Sequence, residues 1–82
     1  MGRSIFWMGV TMTDDDIIRM TRQIAGFFEP YGHEAMVDGI ADHIRNFWDP
    51  RMRADLQLLA DKSPDLLLPT VIEATRKLAA SG

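Results

Sequence analysis

Two histidines, His33 and His43, are the only side chains of this protein that ordinarily ionise near neutral pH. They stand ten positions apart, about 15 Å along a helix, too far to share a metal ion. The nearest acid to His43, Asp42, is its neighbour in sequence, and a helix turns the two apart by about 100°. The sequence contains no His-x-x-x-His, no Glu-x-x-His and no glycine-rich phosphate loop. His43 therefore reads as a helix-edge residue, hydrogen-bonded locally or at an interface, before it reads as a general base. The acidic run Asp14-Asp15-Asp16 fans around a helix and cannot converge on one cation. There is no cysteine, which removes disulfides, thiolate nucleophiles, iron–sulfur ligation and nearly every structural zinc site.

The remaining chemistry is that of binding. Ile40 to Arg53 runs an amphipathic segment into Phe47-Trp48, stops it at Asp49-Pro50 and restarts on Arg51 and Arg53. Tryptophan and arginine are the residue types most enriched among the energetic anchors of protein interfaces. Phe47 reads first as a core residue. Trp48, at the last turn of its helix and close to a proline, is harder to bury and reads as an exposed anchor. Arg51 and Arg53 are either ordinary solvated charges or a local basic patch.

These residues need helices to position them. Thr13 followed by three aspartates marks a helix start, a hydroxyl cap with acids over the positive end of the dipole. That helix should run from about Asp14 to Phe28, with Ile17, Ile18, Met20, Ile24, Ala25, Phe27 and Phe28 covering close to half its circumference. One neighbouring helix cannot cover so wide a stripe, so Phe27 and Phe28 become candidates for a second contact. Glu29-Pro30-Tyr31-Gly32 is a turn. A second helix is predicted from about His33 to Trp48, with Met36, Val37, Ile40, Ala41, Ile44, Phe47 and Trp48 on one stripe. Asp49-Pro50 supplies a cap and an N1 proline for a third, to about Asp61, with Leu58 pointing away from its Met52–Leu56–Leu59–Ala60 face. Pro69 opens a last helix to about Ala80. No strand-like alternation or repeat occurs. The predicted fold class is all-α, a small bundle of three to four helices with short loops.

The bulk composition agrees with one domain. The chain has 82 residues, 46% hydrophobic and 26% charged, which is typical of globular proteins. A formal net charge of −3 opposes non-specific nucleic-acid binding, which needs a basic surface. No apolar run approaches the roughly 20 residues of a membrane span. Residues 1–12 are expected to be a flexible tail outside a single helical domain at 13–82. Ile5 to Val10 is shorter than a signal-peptide core, and Met12 is a possible alternative start.

Two blocks resemble a known family, the delta subunit of NAD-dependent, molybdenum-containing formate dehydrogenases. The first is Ile18-Arg19-Met20-Thr21-Arg22-Gln23-Ile24-Ala25-Gly26-Phe27-Phe28. The second is the Ile-Ala-x-His-Ile-x-x-Phe-Trp-x-Pro-Arg-Met-Arg pattern from Ile40 to Arg53. A looser likeness extends to Leu78. The chain departs at Thr21-Arg22, where the family usually has Ala-Asn. The resemblance implies a cytoplasmic complex that oxidises formate and reduces NAD. In such a complex the molybdenum cofactor and iron–sulfur clusters belong to a large catalytic subunit, and the FMN and NAD sites to other subunits. The delta subunit itself is expected to bind no cofactor and to have no active site.

The expected function is therefore that of a non-catalytic subunit that binds the large catalytic subunit and supports its assembly, maturation or stability. Its partner surface is expected to comprise Phe27, Phe28, His43, Phe47, Trp48, Arg51 and Arg53. A free-standing maturation chaperone is the alternative. A helix-turn-helix DNA binder, suggested by the turn into an arginine-bearing helix, is opposed by net acidity. Alone at high concentration, the chain is expected to form homo-oligomers through the surface meant for its partner.

Overall fold

The Thr13 hydroxyl accepts from the Asp16 backbone N–H, and the Asp16 carboxylate accepts from the Thr13 backbone N–H, both at 3.2 Å. This reciprocal capping box satisfies two donors that a helix start leaves open. It sets the beginning of α1, Asp14–Phe28. The computed structural model describes residues 13–81, and the expectations for residues 1–12 lie outside the described residues.

A 3₁₀ turn, Glu29–Tyr31, follows α1 and ends at Gly32, whose φ of 93° falls in the region that a side chain disfavours. The chain reverses there into α2, His33–Phe47. Helix α3 spans Pro50–Lys62; its cap is Asp49, whose Oδ1 accepts from the Met52 N–H at 2.9 Å, with Pro50 in the first turn. A second 3₁₀ turn, Pro64–Leu66, leads to α4, Pro69–Ser81. The helix bounds read from the sequence hold to within a residue. Caps and prolines are local signals, legible without tertiary context.

Helix α2 is central, packed against both α4 and α1, which also touch each other, while α3 leans on α4. The core is built from Ile17, Ala25, Val37, Ile40, Ala41, Ile44, Leu56, Leu59, Val71 and Ala74, with Leu67 closing the end of the α3–α4 connection. Two threonines share this core. Thr21 and Thr75 each donate the hydroxyl proton to the carbonyl three residues earlier, at 2.9 and 2.7 Å, so neither buries an unmet polar group. Gln57 ties α3 to α4 by donating to the Thr75 carbonyl at 2.8 Å.

The α2–α4 seam carries two polar side-chain contacts at the surface. His33 Nε2 lies 2.9 Å from Glu73 Oε2, and the Lys77 ammonium donates to the Asp38 carboxylate. That hydrogen bond, more than any other influence, holds the Lys77 ammonium above its ordinary pKa.

Candidate functional site

The two aromatics closing α1 project in different directions. The Phe28 ring lies on Gly39 of α2, where a Cβ would fall 2.6 Å from ring carbons. Only a residue without a side chain leaves room for that approach. Phe27 meets Phe28 edge-on, with centroids 5.0 Å apart, but is itself 68% exposed. Tyr31, in the turn, stands 6.3 Å from Phe28 and is also exposed. On α2, His43 and Phe47 are one turn apart, their rings 4.9 Å from centroid to centroid.

Phe27, Phe28, His43 and Phe47 border two adjoining hollows between α1 and α2. The larger, about 440 Å³, is lined by Met20, Gln23, Ile24, Phe27, Phe28 and His43. The smaller, about 250 Å³, is lined by Phe28, Gly39, Asp42, His43, Asn46 and Phe47. Phe28 and His43 belong to both, so the hollows form one groove with an apolar floor. Its rims carry two amides, an imidazole and one carboxylate. Gln23 and Asn46 are amides, and Asp42 is paired with Arg45 at 2.8 Å.

The structure divides the residues singled out by sequence. Phe27, Phe28, His43 and Phe47 come together on this one face. Trp48 does not: it is 6% exposed and belongs to the core. Phe47, read first as a core residue, is 75% exposed. The reason is spacing. Ile40, Ile44 and Trp48 stand four apart and form one inward row, and the Trp48 N–H still donates to the Ile44 carbonyl at 3.0 Å. Gly39, His43 and Phe47 form the neighbouring outward row. Helix α2 ends at Phe47, and Trp48 is already extended, with ψ of 140°.

Arg51 and Arg53 are not part of the aromatic face. Arg51 is exposed near the start of α3, and Arg53 lines a separate cleft with Arg45, Ala54, Gln57, Leu78 and Ala79. Sequence reasoning missed Gly39, Met20 and Ile24 as groove residues. Gly39 had a signal: a glycine inside a helix costs about 1 kcal/mol relative to alanine, so it needs a packing reason.

Among the described residues no three His, Asp or Glu side chains cluster where they could hold a metal ion, and no helix is long and apolar enough to cross a membrane. The aromatic groove is equipped to bind apolar surface: it offers large rings with little rotamer entropy to lose.

Residues 16–75, most of the described chain, match the protein family described as NADH-dependent formate dehydrogenase delta subunit FdsD. No curated protein and no solved structure matches the chain.

Proposed function

The chain belongs to the NADH-dependent formate dehydrogenase delta subunit family, and from that premise we propose that it is a non-catalytic subunit docking on the large catalytic subunit through its α1–α2 aromatic face. The observation that carries this reading is the convergence of Phe27, Phe28, His43 and Phe47 on one groove, with two of the rings mostly exposed. A folded domain of this size leaves large aromatics clustered in water chiefly where a partner covers them. The molybdenum cofactor, iron–sulfur clusters, FMN and NAD belong in this reading to the other subunits of a cytoplasmic complex. The delta subunit contributes surface, which supports assembly or stability of the enzyme that carries them.

The test is co-purification of the large subunit with Phe27→Asp and Phe47→Asp variants, alone and together. Both side chains are exposed, so helical content and unfolding midpoint should stay near those of the parent chain. Each substitution should weaken the complex by about 2 kcal/mol or more if the ring is a central anchor. Undiminished capture by the folded double variant rules the surface out. A stoichiometric small band in the purified active enzyme separates a resident subunit from a transient chaperone.

A further inference from the structure

The smaller hollow, about 250 Å³, combines aromatic rings with a carboxylate. Three of its six lining residues are Phe28, His43 and Phe47, and a fourth is Asp42. His43 and Phe47 face each other at 4.9 Å, which makes one continuous aromatic wall. Asp42 Oδ1 accepts from Arg45 at 2.8 Å, yet the Asp42 side chain is 67% exposed and no other described donor reaches it. Its second oxygen, Oδ2, is therefore open to a further donor. No lysine or arginine lines either hollow, and the chain as a whole carries a formal net charge of −3.

These groups discriminate among occupants. An aliphatic side chain laid here would cover the rings but strip water from the Asp42 carboxylate without return. An acidic side chain would meet like charge. A lysine ammonium is a compact, strongly hydrated charge with no flat face to lay on a ring. A guanidinium is planar, weakly hydrated and always charged, so it can stack on an aromatic face while its edge donates to a carboxylate. Resting on the docking reading above, we propose that the smaller hollow receives an arginine side chain of the catalytic subunit, its guanidinium stacked against the Phe47 ring and donating to Asp42 Oδ2.

Three variants of this chain read the contact. Asp42→Asn keeps the shape of the side chain and removes its charge. It should weaken binding of the catalytic subunit by about three- to tenfold, the range for one charge-assisted hydrogen bond open to solvent, and flatten the salt dependence of binding. Arg45→Gln is the control: it breaks the same pair within α2 but leaves the carboxylate in place, so affinity should hold. Phe47→Leu keeps an apolar side chain without a ring and should weaken binding several-fold.

The deciding experiment places a photoreactive residue at Phe27, which lines the adjoining hollow, in the assembled enzyme and sequences the captured peptide. The expected product is one stretch of the catalytic subunit that contains an arginine. Changing that arginine to methionine should cost the same affinity as Asp42→Asn, and combining the two should cost little more than either, because they remove one shared contact. Capture of a stretch without arginine, of a second copy of this chain or of its own residues 1–12 overturns the proposal. Unaltered affinity in Asp42→Asn overturns it too, as does an equal loss in Arg45→Gln, which would assign the effect to the pair within α2. These outcomes leave the docking reading standing as long as the Phe27→Asp and Phe47→Asp variants lose the catalytic subunit. If those variants bind normally, the docking reading itself fails.

Discussion

Replacing Trp48 with alanine would empty a large volume at the end of the inward Ile40–Ile44 row. The expected loss of folding stability is about 3–5 kcal/mol, read from denaturant unfolding, because the surrounding helices cannot fully close the gap. Phe47→Ala should move the same measurement by less than about 0.5 kcal/mol, since its ring is mostly in water. Adjacent residues thus differ in environment, one packed in the core and one exposed on the face proposed to dock. At the other end of the molecule, the Thr13 backbone N–H, the Thr13 hydroxyl and Arg19 hold the Asp16 carboxyl below its ordinary value of 3.8. A carboxyl with a depressed folded pKa stabilises above the unfolded value, and that contribution is lost as pH falls through the folded one. An acid titration of helicity should therefore show α1 weakening below about pH 4. Thr13→Ala should flatten that step and cost about 1 kcal/mol at neutral pH.

Helix α2 joins the two halves of the bundle, so changes along it act on more than one neighbour. Gly39→Ala improves local helix propensity by about 1 kcal/mol but drives a methyl into the Phe28 ring. Moving a packed ring costs about 1–3 kcal/mol. The net expectation is a destabilisation of up to about 2 kcal/mol in chemical unfolding, with a larger proportional loss of partner capture because the groove floor shifts. On its opposite side, α2 meets α4 through Lys77–Asp38 and His33–Glu73. The Lys77 pKa is raised, so its contribution is complete below the ordinary 10.5 and is lost as pH climbs through the higher folded value. Lys77→Met should remove the alkaline dependence of stability while leaving the neutral-pH fold intact, as expected of an exposed pair.

Among the described residues the bundle buries Trp48 and most of its large aliphatic side chains, and leaves Phe27, Tyr31 and Phe47 mostly exposed. Ile17, Ile40, Ile44, Leu56 and Val71 are sealed, while Phe27, Tyr31, Phe47 and Leu58 remain outside. Phe27 and Phe47 line the adjoining hollows of the α1–α2 groove and Tyr31 stands beside Phe28, whereas Leu58 on α3 and Leu66 in the following turn are exposed aliphatic side chains of an ordinary kind. Sedimentation of the isolated chain should show mass rising with concentration, and the Phe27→Asp, Phe47→Asp double variant should stay monomeric over the same range. Persistence of association in that variant would move the sticky surface elsewhere.

The sequence by itself determined the helices and the punctuation between them. Thr13, Pro30-Tyr31-Gly32, Asp49-Pro50, Ser63-Pro64 and Pro69 act through neighbouring backbone, so their effect is readable along the chain. It also singled out Phe47, Trp48, Arg51 and Arg53 as residue types suited to binding. The family blocks at Ile18–Phe28 and Ile40–Arg53 were equally legible, because a match of residue types needs no geometry. Only the tertiary structure decided which aromatics serve the core. Phe47 and Trp48 differ by one position, and a turn of about 100° separates a buried face from an exposed one. Which face a neighbouring helix covers depends on contacts between residues distant in sequence, and so does the seat of Phe28 on Gly39.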